Sequence, residues 1–169
     1  MLNKLLPRYA FFISGAANHA DRLQAFERAL LSAGKVEHNL VAVSSIFPAN
    51  CKIISPEQGF KMLTSGEIVF CVMAKQDTNK KGEIVSASIG LAKTKDPKKF
   101  GYISEYHGTF DKDKADKLAK KLAIEMLARK FNIPVGKLDT KILQATTASI
   151  KQSAKGEWVC AVALCVFVL

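Results

Sequence analysis

The sequence predicts an α+β fold in which two mainly antiparallel sheets stack face to face and a helix covers each outer side. The chain has 169 residues, of which 49% are hydrophobic and 24% charged, as in an ordinary globular domain. Seven or eight segments have the composition of strands, and two have helical periodicity. The two types do not alternate, which excludes a regular βαβ fold. We expect a single domain over residues 1–169.

The first part of the chain predicts a strand, a helix and a short strand. Residues 8–14 are rich in aromatic and β-branched side chains, which favour a strand. Residues 21–33 repeat apolar side chains at helical spacing, and Gly34 is a common helix stop. Residues 39–45 are a short apolar strand that runs towards Pro48. The helical positions expected to face the core are Leu23, Phe26, Leu30 and Leu31.

The middle of the chain predicts two long strands and then a third. Residues 66–75 and 82–93 are apolar and β-branched, and the polar segment DTNKKG between them suits a hairpin. We therefore expect these two strands to pair with each other. Residues 100–110 have the composition of a further strand.

The last part predicts a long helix and two strands. Asp111 is a suitable N-cap for a helix that ends at Phe131. Residues 140–150 and 158–169 are expected to form a final strand pair. The stripe of the helix expected to be apolar contains Ala115, Leu118, Leu122 and Met126.

The charge of the chain is strongly basic, with 25 Lys and Arg against 15 Asp and Glu, or +10 in all. Such a charge is found in proteins that bind nucleic acids, with an affinity that falls steeply with salt. The basic residues here are mostly lysines, however, concentrated in residues 75–81, 93–99 and 112–130. Nucleic-acid surfaces usually interleave arginine and aromatic side chains. The pattern favours a solvated basic surface and no nucleic-acid partner.

The apolar segments are too short for export or for crossing a membrane. Near the N-terminus, Pro7 and Arg8 leave YAFFI as the uninterrupted apolar stretch, shorter than the roughly 7–15 residues of a signal-peptide core. The longest apolar run, residues 158–169, is shorter than the roughly 20 residues that a transmembrane helix needs. We expect a cytoplasmic protein without a membrane partner.

The sequence contains no common cofactor or metal motif. It has no GxGxxG, GxxxxGK[ST], GxSxG or HExxH pattern, and its three histidines are scattered. None of its four cysteines forms a CxxC pair, so we expect reduced, buried thiols and no metal site. These cysteines are Cys51, Cys71, Cys160 and Cys165.

Two adjacent serines, Ser44 and Ser45, follow an apolar strand and precede Ile46, Phe47 and Pro48. Two hydroxyls at the end of a strand are unusual unless they turn the chain or cap it. From these residues alone, a turn stabilised by a serine hydroxyl is the favoured interpretation.

Several motifs in a fixed order make the chain similar to the pyruvoyl-dependent arginine decarboxylases. They are FxxALLxAG at residues 26–34, Asn39, SSIFP at residues 44–48, GEIVSASIG at residues 82–90, and Glu105-Tyr106 followed by Gly108. The similarity covers about two-thirds of the chain and fades in the C-terminal third. It implies a four-layer αββα sandwich, assembled as a homotrimer or hexamer with active sites between subunits.

The resemblance also implies that the chain cleaves itself. The Ser45 hydroxyl would attack the Ser44 carbonyl, and the resulting ester would eliminate to give chains 1–44 and 45–169. Ser45 would thereby become a covalent pyruvoyl group, the cofactor of the reaction, with no metal and no pyridoxal phosphate. Asn39 matches the family's processing residue, although a polar turn residue before the strand would look the same.

The implied reaction is the decarboxylation of L-arginine to agmatine and carbon dioxide through a Schiff base. Glu105 matches the proposed general acid, although a solvent-facing strand residue is the alternative. Where the family typically carries Asp against the substrate guanidinium, this chain has Glu27, flanked by Leu23 and Leu30. That difference leaves open a shorter basic amino acid as substrate. An uncleaved, noncatalytic binding module of the same fold is a further alternative.

Overall fold

The computed structural model describes residues 5–34 and 36–169, which form two sheets stacked face to face. The first, sheet A, has five strands. In spatial order they are β2 (Asn39–Ala42), β5 (Ile68–Thr78), β9 (Trp158–Val168), β1 (Tyr9–His19) and β4 (Lys52–Ile53). The second, sheet B, has four. They are β3 (Ile46–Phe47), β7 (Gly101–Gly108), β6 (Ile84–Thr94) and β8 (Thr140–Lys151).

A long helix covers the outer face of each sheet. Helix α1 (Arg22–Gly34) packs on β1 and β9 of sheet A, and α3 (Lys112–Phe131) packs on sheet B. A short helix, α2 (Pro56–Phe60), and a 3-10 turn (Val135–Lys137) lie in the connections. Strand pairing is antiparallel except where β1 meets β4 and β2 meets β5. The predicted α+β sandwich with outer helices is confirmed.

The main core fills the space between the two sheets. Sheet A contributes Val72 and Phe167, and sheet B contributes Ile89, Leu91 and Ile103. All five are buried. A second core lies between sheet A and helix α1.

The predicted hairpin between residues 66–75 and 82–93 is wrong. Strand β5 lies in sheet A and β6 in sheet B, so the loop between them passes from one sheet to the other. Strand β6 is buried along nearly its whole length, between sheet A on one face and α3 on the other. It pairs instead with β7 and β8, and this central place accounts for a strand that is buried on both faces.

The predicted final strand pair is wrong for the same reason. Strand β8 is at the edge of sheet B, whereas β9 is at the centre of sheet A between β5 and β1. Strand β9 is almost completely buried, so it requires a neighbour on each side and a layer on each face. The two strands face each other across the core instead of pairing.

The predicted buried stripe of α1 is partly wrong. The residues that α1 buries completely are Ala25 and Ala29, whereas Leu23 and Leu31 are exposed. The cause is Gly15 on β1, because a Cβ there would lie 2.5 Å from the Ala33 nitrogen. The helix backbone therefore lies so close to the sheet that only small side chains fit beneath it.

Helix α3 approaches sheet B as closely as α1 approaches sheet A. Gly90 on β6 lies against it, and a Cβ there would be 2.5 Å from the Ala119 carbonyl carbon. Of the predicted stripe, Ala115 is buried, but the longer side chains stay half-buried. Those are Leu118, Leu122 and Met126. The fully buried face contains Ala115, Ala119, Ala123 and Leu127.

The predicted N-cap of α3 and the predicted buried thiols are confirmed. The Lys114 N–H donates to the Asp111 side chain at 2.9 Å, so Asp111 is the N-cap of α3. The four cysteine thiols are buried and free. None of the helices within residues 5–34 and 36–169 is both long enough and apolar enough to cross a membrane.

Because α1 lies so close to Gly15, we expect the substitution Gly15→Ala to destabilise the fold. The added methyl group has to push the helix away from the sheet, and such overpacking costs roughly 1–3 kcal/mol. Gly136→Ala is the matched control, because a Cβ at Gly136 meets no atom within 4 Å. Urea unfolding at one protein concentration measures both. Equal unfolding midpoints for the two variants would contradict the close contact.

Candidate active site

The chain passes from sheet A to sheet B at Ser44 and Ser45, between the end of β2 and the start of β3. On the sheet A side, the Val43 N–H donates to the Cys71 carbonyl at 2.9 Å. On the sheet B side, the Ile103 N–H donates to the Ser45 carbonyl at 2.8 Å. The two serines are therefore held between backbone groups of two different sheets.

The Ser44 carbonyl is itself hydrogen-bonded within a tight turn. The Ile46 N–H donates to the Ser44 oxygen at 2.9 Å, which closes a three-residue γ-turn centred on Ser45. Ser45 does not have a positive φ, so the turn is of the common inverse type. The turn predicted at these serines is present, but it is closed by backbone groups. Among the described residues, neither serine hydroxyl makes a hydrogen bond.

Glu105 lies beside this turn. In the β3–β7 pairing Ile46 is opposite Tyr102, and the Ser45–Ile103 hydrogen bond extends the register by one residue. Glu105 follows Ile103 by two residues, so both side chains project from the same face of β7, towards sheet A. This register places the carboxyl next to the segment that contains Ser44 and Ser45.

The surroundings of Glu105 shift its acidity. Partial desolvation raises the pKa of the Glu105 carboxyl above its ordinary value, and the nearby His107 opposes this shift. The His107 Nδ1 lies 3.3 Å from the Gln76 Oε1 on sheet A. The carboxyl is thus at the mouth of the space between the sheets, where it still contacts solvent.

An apolar pocket of about 470 Å³ opens on the other side of the turn. Ser44 lines it together with residues of the N-terminal segment, the turn and both sheets. Among them are Leu6, Val43, Ile46, Phe70 and Phe100. The serine turn therefore borders a mainly apolar cavity.

The structure does not bring Asn39 to the serines within one chain. Asn39 begins β2, and Ser44 lies five residues further on, roughly 15 Å along an extended strand. Its side-chain amide donates to the Gly66 carbonyl at 2.7 Å, and its backbone N–H donates to the Glu67 carbonyl. Asn39 therefore fixes the start of β2 against the turn before β5.

The predicted substrate residues lie in another layer. Glu27 is exposed on α1, on the outer side of sheet A. Leu23 is 71% exposed, and Leu30 is half-buried against sheet A. The predicted residues thus fall into two groups. Ser45 and Glu105 form the first, Glu27 and Leu23 form the second, and the thickness of sheet A lies between the two groups.

Large apolar side chains are exposed near both groups. Leu23 is exposed one helical turn before Glu27 on α1, and Ile68 on β5 is 64% exposed. Close to the serines the exposed apolar residues are Val41, Val43 and Ile46. Both places therefore present apolar side chains to solvent.

The backbone donors at the site were not found from the sequence. The N–H groups of Ile46 and Ile103 hold the two serine carbonyls, yet a backbone donor leaves no trace in side-chain pattern. Gln76 was likewise missed, since its approach to His107 depends on how the two sheets stack. Within residues 5–34 and 36–169, no group of three or more potential ligand side chains could hold a metal ion.

Comparison with known proteins identifies the class to which this fold and site belong. The family model described as "Pyruvoyl-dependent arginine decarboxylase" matches residues 9–169. The chain belongs to this family, whose named activity is that of a carboxy-lyase.

Individual relatives agree over most of their length. Pyruvoyl-dependent arginine decarboxylase 1 of Methanosarcina acetivorans is 38% identical, with both chains covered completely. The protein of the same name from Archaeoglobus fulgidus is 43% identical over 78% of this chain and 88% of its own. The pyruvoyl-dependent arginine decarboxylase of Methanococcoides burtonii is 44% identical over 76% and 72%. The similarity therefore extends through the C-terminal third, and the predicted fading of the resemblance there is wrong.

The raised pKa of Glu105 predicts a pH-dependent stability difference between the parent chain and Glu105→Gln. The folded state holds the Glu105 proton more tightly than the unfolded state, so burial of the ionised carboxylate lowers stability once pH exceeds its ordinary pKa of 4.5. Glutamine has no such charge. The stability of the parent should therefore fall relative to the variant as pH rises from about 4 to 7.

Urea unfolding at several pH values measures this difference. Both proteins also carry Ser45→Ala, so that the peptide bond after Ser44 is intact in each of them. A difference that is constant over the whole pH range, or that favours the parent at neutral pH, would contradict the shifted acidity of Glu105.

Proposed function

We propose that the chain cleaves itself between Ser44 and Ser45 and that the product decarboxylates L-arginine to agmatine and carbon dioxide. The observation that carries this proposal is the γ-turn at Ser45, in which the Ser44 carbonyl accepts a hydrogen bond next to a free serine hydroxyl. Membership of the pyruvoyl-dependent arginine decarboxylase family supports it.

The first step converts an amide into an ester. The Ser45 hydroxyl oxygen adds to the Ser44 carbonyl carbon, and the negative charge develops on the carbonyl oxygen. The Ile46 N–H already points at that oxygen and stabilises the charge as it forms. The carbon–nitrogen bond then breaks, the nitrogen takes up a proton, and Ser44 is left as an ester on the Ser45 side chain.

The second step breaks the chain. Loss of the Ser45 α-proton expels the ester oxygen from its β-carbon, so residues 1–44 leave with a terminal carboxylate. Position 45 keeps a carbon–carbon double bond, which rearranges to an imine. Water replaces the nitrogen of that imine, ammonia departs, and a ketone begins the chain of residues 45–169.

The residues around position 45 fit the pyruvoyl group that results. Such a group supplies a ketone that takes up the substrate amine and an adjacent carbonyl that draws electrons from the departing carboxylate. The carbonyl at position 45 is held by the Ile103 N–H. That hydrogen bond keeps the carbonyl oriented and favours negative charge on its oxygen.

Glu105 supplies the proton that replaces the carboxyl group on the substrate. A general acid works best when its pKa lies near the working pH, and desolvation raises the pKa of Glu105 in that direction. Its place beside Ser45 on the facing strand gives it access to the reacting carbon.

A second subunit completes the site. Glu27 and Leu23 lie on the outer side of sheet A, away from Ser45 of the same chain. In a homotrimer or a hexamer of two trimers, α1 of one subunit faces the serine turn of its neighbour, and the apolar residues exposed at both places are buried by this contact. Glu27 then binds the substrate guanidinium, with Leu23 and Leu30 beside the substrate's methylene groups. Asn39 supports processing as a positioning residue, because it fixes the strand that ends at the serines.

Intact mass under denaturing conditions tests self-cleavage. The parent should give two chains, residues 1–44 and residues 45–169 with a pyruvoyl terminus. Ser45→Ala should give one uncut chain, because it lacks the attacking oxygen. Ser44→Ala is the matched control and should still cleave, since the reaction uses the Ser44 carbonyl and not its hydroxyl. An uncut parent after long incubation would instead favour the noncatalytic binding module.

Glu105→Gln separates processing from catalysis. The variant keeps the size and polarity of the side chain but cannot give up a carboxylic proton. It should cleave normally and lose decarboxylation by roughly 10²–10⁴-fold, the usual contribution of a general acid. Carbon dioxide release from arginine, measured on fully cleaved protein, is the readout. Turnover close to that of the parent would remove Glu105 from the chemical step.

Glu27→Asp tests substrate choice. Glu27 is one methylene longer than the aspartate that the family typically carries, so its two oxygens meet the guanidinium less favourably. Arginine should remain the preferred substrate of the parent, with weak discrimination against ornithine and lysine. The shorter side chain should raise the ratio of kcat/KM for arginine to kcat/KM for ornithine and for lysine. Unchanged ratios would show that Glu27 does not contact the substrate side chain.

A further inference from the structure

A second pocket, separate from the serine turn, opens at one end of the space between the sheets. Its volume is about 550 Å³, and it lies between the ends of β4, β6 and β8. Neither Ser45 nor Glu105 lines it. We call it the lysine pocket after the four basic residues of its wall, Lys52, Lys93, Lys95 and Lys141.

Lys93 is the unusual member of this wall. It is 6% exposed, whereas the other three lysines are exposed. Lys93 follows Ile89 and Leu91 on the core-facing side of β6, so its side chain projects into the end of the space between the sheets. An irregularity of strand pairing at Lys93 and Thr94 interrupts the normal alternation, and both residues line the pocket.

The Lys93 ammonium has no anionic partner among the described residues. It lies 5.2 Å from the centre of the Phe47 ring, a cation–π contact that compensates only part of the lost hydration. No carboxylate of residues 5–34 and 36–169 forms an ion pair with it. A buried ammonium without a counterion is costly, so something else in the pocket is expected to balance its charge.

The neighbouring groups add positive charge and not negative charge. Burial raises the pKa of the Cys51 thiol to about 11, so this wall residue is neutral at physiological pH. Desolvation lowers the pKa of Lys93; Cys51 opposes this shift, and the charge of Lys141 adds to it. The charge of Lys95 is partly neutralised by Asp139 at 2.7 Å. Lys52 and Lys141 have no such partner in the described part of the chain.

We propose that the lysine pocket binds a small molecule through a phosphate group. Four lysines and no arginine line it, and lysines bind phosphate as point charges, whereas planar carboxylates are matched better by the arginine fork. Asn50 and Thr94 add polar side chains to the wall. The pocket is larger than a single phosphate needs, so inorganic phosphate and a phosphorylated metabolite are the two possible sources of the group.

Calorimetric titration of the intact protein tests this site with inorganic phosphate, pyrophosphate and citrate at one ionic strength. Pyrophosphate stands for the larger phosphorylated ligand, and citrate controls for negative charge alone. Saturable binding of a phosphate probe, at one site per chain and more tightly than citrate, supports the proposal. Tighter binding of pyrophosphate identifies the phosphorylated molecule as the source, and equal binding identifies free phosphate.

Lys93→Met locates the binding. Methionine keeps much of the length and the apolar stem of lysine, so the variant should fold and should be at least as stable as the parent without ligand. It should bind the probe at least roughly tenfold more weakly, whereas Lys155→Met, an exposed lysine outside the pocket, should bind normally. Absence of saturable phosphate binding, equal affinity for citrate, or unchanged affinity in Lys93→Met would each overturn the proposal.

Discussion

The crossing of the chain from one sheet to the other at Ser44 and Ser45 is the constraint on which the proposed site depends. A strand of sheet A holds Val43, a strand of sheet B holds the Ser45 carbonyl, and the Ile46 N–H closes the turn on the Ser44 carbonyl. Because both sheets are fixed by a common core, the turn between them has little freedom. The peptide bond after Ser44, where we propose cleavage, is thereby presented with its carbonyl already hydrogen-bonded, and the register of β7 places Glu105 on the face towards sheet A.

The outer helices connect the fold to the assembly that we propose. Gly15 and Gly90 let α1 and α3 approach the sheets so closely that alanines form the buried faces. Two of the larger apolar side chains of α1, Leu23 and Leu31, are left at the surface. Close packing within the subunit thus makes apolar surface available for contact between subunits, next to Glu27.

The sequence predicted most elements and a set of candidate site residues, but not how the strands pair. Strand composition and the Asp111 cap were sufficient for the elements, and the serine pair with its flanking motifs indicated the site. Pairing could not be predicted, because β9 is apolar on both faces and β6 buries small serines on its second face, so neither strand shows which neighbour it takes. The helix faces were misjudged because hydrophobicity ranks leucine above alanine, whereas the contact with Gly15 admits only the smaller side chain.

The fate of oxygen during cleavage is the most direct test of whether the Ser45 hydroxyl attacks the Ser44 carbonyl. If the Ser45 hydroxyl is the nucleophile, the new carboxylate of Ser44 contains the old carbonyl oxygen and the Ser45 oxygen, with none from solvent. Uncut protein is allowed to cleave in water labelled with the heavy oxygen isotope, and the mass of the 1–44 chain is measured. We expect no solvent oxygen in that chain. One solvent oxygen in its terminal carboxylate would show hydrolysis by water and would contradict the account.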